Sequence, residues 1–252
     1  MKGVVLAGGT GSRIFPLTKV TNKHLLPVGK CPMIYYPLAK LKEAGISEIL
    51  IVTGKEHMGE VVNLLGSGND LGLNLTFKVQ DQAGGIAQAL GLAENFAGKD
   101  AVTVILGDNV FEDSLCDFIA NYQKQGLGAK ILLQQVKHPE RYGVAELDDN
   151  NQVLSIEEKP TAPKSNYCVT GIYMFDAQVF NIVKTLKPSK RGELEITDVN
   201  NTYIQQHNLS ADEITGWWID AGTFDSLKKA DDLVRAGKLD EQVLKLLVPC
   251  QP

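Results

Sequence analysis

No run of about 18 consecutive apolar residues occurs in the sequence, so nothing in it reads as a helix able to span a bilayer. The chain also lacks the opening of a secretory leader. Met1-Lys2-Gly3 passes directly into a short apolar segment, without a long apolar stretch or a small-residue cleavage site. Cysteine is scarce: Cys31, Cys116, Cys168 and Cys250 are scattered, with no Cys-x-x-Cys pair and no grouping with the four histidines. That spacing favours reduced thiols over disulfides or a zinc site, as expected of a cytoplasmic protein. His24, His57, His138 and His207 are themselves far apart and are given no catalytic role. A surplus of basic residues is missing as well. With a formal net charge of −5 there is nothing to displace counterions from a polyphosphate backbone, so nucleic acid is not the partner and any anion site must be local. Internal repeats, low-complexity segments and linkers are absent, which suits one compact unit spanning residues 1–252.

What the chain does have is apolar segments punctuated by glycine. Its 252 residues, 44% of them hydrophobic, are ample for a sizeable core. Residues 3–7 form an uncharged apolar run, read as a strand buried on both faces, and the run ends in Gly8-Gly9-Thr10-Gly11-Ser12-Arg13. A loop with so little side-chain bulk lets backbone N–H groups approach a ligand closely, a natural arrangement for phosphate. Arg13 adds a permanent charge in a fork that matches phosphate oxygens. Two better-known patterns fail here. A Walker loop requires Gly-Lys-Ser/Thr where Gly11-Ser12-Arg13 stands, and a dinucleotide fingerprint requires a third glycine where Ile14 stands. Read alone, Gly-Gly-Thr-Gly is equally a turn that reverses the chain.

Taken in order, the segments alternate. Helices are expected over 33–44, 56–65, 86–95 and 115–125, and strands over 48–53, 73–80 and 101–106, the rhythm of a parallel sheet covered on both faces. Ligands of such sheets sit beyond the carboxyl ends of the strands, which places Gly8 to Arg13, Gln80 and Asp108 around one crevice. The rhythm then changes: 130–136, 143–147, 153–157 and 168–175 read as strands joined by turns, an antiparallel portion on the same sheet. Helices return at 178–186, 196–206 and 224–236, with short strands at 209–214 and 217–220 and an amphipathic piece at 239–247.

The strings GGTGSRIFPLT and NKHLLPV together resemble the signature of the sugar-1-phosphate nucleotidylyltransferases, most nearly the glucose-1-phosphate thymidylyltransferases. The resemblance runs from Gly3 to Leu227, with motifs in the family's order. It implies an α/β, Rossmann-like, glycosyltransferase-A-like fold: a mostly parallel central sheet with helices on both faces and an inserted antiparallel sugar-binding portion. On that division, about 1–125 binds nucleotide, about 126–223 binds sugar and 224–252 supplies C-terminal helices. The implied nucleotide contacts are Leu6, Gly8, Gly9, Thr10, Gly11, Ser12, Arg13, Lys23, Gln80, Gly85 and Asp108. Arg13, Lys23 and Asp108 carry the catalysis. Ser12 stands where threonine is usual, and it keeps the hydroxyl.

Asp108, taken alone in Gly-Asp-Asn, is a turn or cap residue first. LGDN and WIDAGT, however, resemble the family's metal motifs, so that Asp108 and Asp220 are expected to hold Mg²⁺, a cation commonly bound by one or two carboxylates with phosphate oxygens and water. VQDQAGGIAQAL is similar to the family's base-recognition loop, in which Gln80 and Gly85 read thymine or uracil. RYGVAE, EEKP and VTGIYMFD resemble the sugar-site segments. These imply that Gly143, Glu157 and Val169 contact sugar hydroxyls, that Lys159 grips the sugar phosphate and that Tyr142 closes the pocket. Arg191, in KRGELEITD, is a second candidate for that phosphate. The partners implied are a nucleoside triphosphate, dTTP with UTP as the alternative, and a sugar 1-phosphate, with homo-oligomeric assembly compatible. Longer members of the family carry further C-terminal helices with a second nucleotide site; their absence after residue 247 leads us to expect feedback inhibition at a distal site to be missing or reduced.

Overall fold

A computed structural model describes residues 1–248; Pro249, Cys250, Gln251 and Pro252, including the fourth cysteine, lie outside the described residues. From the N-terminus the chain forms β1 (Lys2–Ala7), the short strands β2 (Pro27–Val28) and β3 (Cys31–Pro32), α1 (Tyr35–Glu43), β4 (Glu48–Gly54), α2 (Met58–Leu65), β5 (Asn74–Gln80), α3 (Ile86–Gly91), α4 (Glu94–Ala97) and β6 (Val102–Leu106). There follow β7 (Asn109–Phe111), α5 (Cys116–Gln125), β8 (Ala129–Gln135), β9 (Gly143–Leu147), β10 (Val153–Glu158) and β11 (Tyr167–Phe175). The chain continues through α6 (Val179–Thr185), α7 (Ile196–Gln205), β12 (Leu209–Glu213), β13 (Trp218–Asp220), α8 (Phe224–Gly237) and α9 (Leu239–Leu247). No helix among the described residues is long and apolar enough to cross a membrane.

Successive strand residues point to opposite faces, and in β1 both faces are apolar. Val5 and Ala7 enter one hydrophobic layer with Ile49 and Ile51, while Val4 and Leu6 enter the other with Leu50 and Val52. A strand of this kind has no water-facing side, so it occupies the interior of a sheet with helices on both faces. The first layer is closed by α1, α5, α8 and α9, the second by α3, α6 and α7. One continuous sheet runs β10-β9-β11-β6-β1-β4-β5, with β8 pairing β11 and β12 beyond it. β6, β1, β4 and β5 are mutually parallel. β11 reverses direction against β6, and β9 and β10 continue antiparallel. The sheet therefore changes character at the β6–β11 boundary, and the carboxyl ends of the parallel strands open there.

Two departures from the sequence reading have physical causes. The segment 86–95 is two short helices, separated where the Leu92 and Ala93 amides turn back to Ala89 and Leu90. Gly91 sits at this break, a poor helix former packed so closely on α6 that an added Cβ would lie 3.1 Å from Val183. β7 was not expected. Its three residues carry no periodicity, and it exists because β13, far along the chain, pairs with it. The strand expected at 209–214 forms as β12 and joins the sheet parallel to β8. In α9, Val243 and Leu247 are buried against the chain's own core beside α1, which decides what this amphipathic piece covers.

Asp176, buried at the end of β11, ties the second half together. Its carboxylate accepts from the Gly128 amide (2.8 Å), the Gln178 amide (3.0 Å) and the Tyr203 hydroxyl (2.6 Å), linking β8, α6 and α7. Asp176→Ala strands two buried donors and a partly buried one and is expected to lower unfolding stability by about 2–4 kcal/mol, read as a lower urea midpoint. A midpoint unchanged from wild type would show that these bonds are not what holds the corner.

Candidate active site

The carboxyl end of β1 delivers the glycine loop into a cavity of about 670 Å³ at the β6–β11 boundary. The loop is set by a small buried network. Asn22 Nδ2 donates to Ala7 O and Thr53 Oγ1, both at 3.2 Å, and Thr53 Oγ1 itself donates to Ala7 O at 3.1 Å. Gly8 and Gly9 line the cavity, while Thr10, Gly11 and Ser12 line a smaller adjoining recess together with Arg13, Lys23 and Gly222. Gly222 leaves the space that Arg13 occupies, since a Cβ there would lie 2.5 Å from the guanidinium. Expected nucleotide residues Leu6, Gln80, Gly85 and Asp108 all line the main cavity. Gln80 Nε2 is turned toward Gln88 Oε1 (2.8 Å), and Gly85 stands at φ 99° with the backbone of Leu194 against it, a position no L side chain fits.

Asp108 and Asp220 meet through β7 and β13. The antiparallel register sets Asp220 opposite Asn109, and the Ala221 amide donates to Asp108 O at 2.9 Å. Lys23, on a single 3-10 turn, places its ammonium 2.5 Å from Asp108 Oδ2, both side chains largely buried. Burial works against ionising Asp108, but the charges beside it, Lys23 foremost, outweigh burial and hold its carboxyl well below the usual carboxylate range. Burial pushes Asp220 the other way, and the charge of Asp108 adds to it, with Arg13 and Lys23 only partly offsetting. Arg13 lies 3.9 Å from Asp220 Oδ2.

The donor set suits a hard divalent cation, being carboxylate oxygen with neither sulphur nor imidazole. Two neighbouring acids of which one resists ionisation form a pair that a bound cation would relieve. Among the described residues no group of three or more His, Cys, Asp and Glu side chains converges as a metal cage, so remaining ligands would have to be substrate oxygens and water.

Across the cavity stands the antiparallel portion. Tyr142, Gly143, Lys159, Val169 and Arg191 all line it, as expected. Tyr142 packs edge-on against Trp218, with ring centroids 5.5 Å apart. Glu157 is the correction. It is exposed and outside the cavity, while Glu158 lines it. The reason is the two-residue period of β10: Ile156 is buried in the core, so Glu158 shares its face and Glu157 points away. That alternation was readable from the buried Ile and could have selected Glu158. Arg191 is less free than expected, because Glu195 (2.7 Å), Glu158 (3.3 Å) and Glu193 (3.4 Å) surround its guanidinium. Lys159, at φ 46°, carries a looser pair with Glu158 (3.3 Å). Asn109 was missed as a brace: its Oδ1 accepts from Trp218 Nε1 (2.6 Å) and the Gly171 amide (2.9 Å). Arg141, Tyr173, Thr197 and Asn200 were missed as lining residues, having no local signal.

A phosphate-suited loop with two cations, an acid pair and a polar pocket thus share one crevice, and comparison with known proteins agrees. The model of the nucleotidyl transferase family matches residues 2–236. The chain belongs to the nucleotidyl transferase family. It is 45% identical over 239 residues to the glucose-1-phosphate thymidylyltransferase of Neisseria meningitidis, covering 93% of this chain and 83% of that one. It is 43% identical over 252 residues to the enzyme of that name from Mycobacterium tuberculosis, covering 99% and 87%. A crystal structure from Bacillus anthracis, assigned as a glucose-1-phosphate thymidylyltransferase in complex with a sucrose, superposes with a TM-score of 0.90 at 57% identity, over 93% of this chain and 95% of that one. A UDP-glucose pyrophosphorylase complexed with UDP-glucose superposes at 0.85 with 25% identity, over 94% and 98%. These relatives share the nucleotidyl transferase fold described above.

His24, excluded from catalysis on sequence grounds, lies in this nucleotidyl transferase site as a buried brace. Its Nδ1 faces Asn22 Oδ1 at 2.6 Å, under Gly107. Burial, and then the charge of Lys23, lower the imidazole from 6.5 to about 3, so it is neutral at physiological pH. Between those values the unfolded chain holds a proton that the folded protein does not, and stability is lost as the pH falls from 6.5 toward 3. His24→Gln is expected to flatten the dependence of unfolding free energy on pH in that window by about 1.4 kcal/mol per pH unit. Parallel curves for variant and wild type, from urea titrations at several pH values, would contradict a buried neutral His24.

Proposed function

We infer that this protein transfers the thymidylyl group of dTTP to α-D-glucose 1-phosphate, giving dTDP-glucose and pyrophosphate. The observation that carries the reading is the union, in one cavity, of the Gly8 to Arg13 loop with Lys23 on one side and the Lys159, Glu158 and Tyr142 pocket on the other, with Asp108 and Asp220 between. Relatives named for this activity, at 43–45% identity over nearly the whole chain, support it. We assign about 1–125 to the nucleotide, about 126–223 to the sugar phosphate and the described residues of 224–252 to covering helices.

The sugar phosphate needs no general base, because the second ionisation of a phosphate monoester lies near 6 and the attacking oxygen is already charged at pH 7. What opposes reaction is the approach of two polyanions. The loop amides and Arg13 hold the triphosphate, Lys159 holds the sugar phosphate, and Lys23 keeps Asp108 ionised within the site. Asp108 and Asp220 would hold Mg²⁺, which when bound neutralises phosphate charge and polarises the α-phosphoryl group. Alignment of the sugar phosphate opposite the departing pyrophosphate is then the main contribution of the fold. Thymine and uracil present the same edge to Gln80, so UTP is the expected second-best donor.

Pyrophosphate release from pairwise mixtures of dTTP, UTP or CTP with hexose 1-phosphates tests the assignment. dTTP with glucose 1-phosphate should be fastest, and no release from any pair would end it. EDTA should abolish turnover, and Asp220→Asn should reduce kcat by about 10²-fold or more. Arg13→Ala should likewise cost about 10²–10³ in kcat, whereas Lys159→Ala should chiefly raise KM for glucose 1-phosphate. Near wild-type kinetics for Arg13→Ala would remove it from the reaction.

A further inference from the structure

We propose that Asn200 reads the sugar, its carboxamide hydrogen-bonding a ring hydroxyl of the hexose at the inner wall of the cavity; this rests on the function inferred above. Asn200 is only 1% exposed, and both its Oδ1 and its Nδ2 lack a hydrogen-bond partner among the described residues. Gln134 and Asp212 each lack a partner at one atom, and no other side chain there leaves both ends of a buried amide unpaired. Buried polar groups in folded proteins are almost always satisfied, so an orphaned amide on a residue that lines a cavity points to what the cavity takes up once the side chain turns toward it.

The geometry of α7 supports the assignment. Asn201, the next residue, is bound on both sides to the backbone of β10: Ile156 N donates to its Oδ1 at 3.0 Å and its Nδ2 donates to Ile156 O at 2.8 Å. This clamp fixes the rotation of the helix about its axis. Ile196, Thr197 and Asn200, at positions i, i+1 and i+4, are thereby set along the cavity. Thr197 Oγ1 donates to Glu158 Oε2 at 2.8 Å, so Asn200 stands one turn beyond the carboxylate of the sugar pocket. A phosphate would call for a cation, and Asn200 carries none. A neutral amide that both donates and accepts matches a sugar hydroxyl, which does the same.

An unpaired amide is a burden on the free protein and an asset only when the sugar is bound, which separates this role from a structural one. Asn200→Leu, which keeps the branched skeleton and replaces the amide by methyl groups, should leave the Tm of the free protein unchanged or raised. Calorimetry with dTDP-glucose and with dTDP then gives the decisive ratio. In Asn200→Leu, and in Asn200→Ala as a second variant, Kd for dTDP-glucose should rise roughly 10- to 100-fold while Kd for dTDP stays as in wild type. Equal weakening of both ligands, or no weakening of dTDP-glucose, overturns the proposal. Wild-type protein that releases no pyrophosphate from dTTP and glucose 1-phosphate overturns the activity instead, and the binding ratio still decides the role of Asn200.

Discussion

Two buried carboxylates held side by side, Asp108 and Asp220, set the terms for the rest of this protein. Each is placed by a backbone rather than by its own side chain, through the pairing of β7 with β13 and the amide of Ala221 on Asp108 O. Burial favours the neutral form of both. Lys23 wins that contest for Asp108, while Asp220 stays raised, by its burial first and then by the charge of Asp108. A site so arranged leaves Asp220, among the described residues, with only Arg13, 3.9 Å away, as a cationic partner besides Lys23.

The sheet explains why these groups meet. Its parallel half ends at β6, and β11 turns back antiparallel beside it. Loops from the parallel strands and side chains from the antiparallel ones therefore face the same opening. The glycines follow from this crowding. Gly85 admits the Leu194 backbone and Gly222 admits the Arg13 guanidinium, so segments distant in the chain approach closely at the cavity.

In the antiparallel portion, charge is balanced more tightly than a list of residues implies. Arg191 is ringed by Glu158, Glu193 and Glu195 and acts first as the brace of those acids. Lys159 has one loose partner, and its side chain is about half exposed, which leaves it the freer of the two cations.

The sequence by itself determined the strands and most of the helices of the first half, because apolar runs such as residues 3–7 and 101–106 permit no water-facing side. It also determined the phosphate loop, with Arg13 and Lys23, since glycine spacing and charge are local properties. Tertiary structure alone decided the rest. β7 forms only because β13 arrives, and Asn200 reaches the cavity because Asn201 clamps its helix. Each of these depends on contacts between residues distant in the chain, and such contacts leave no trace in local composition or period.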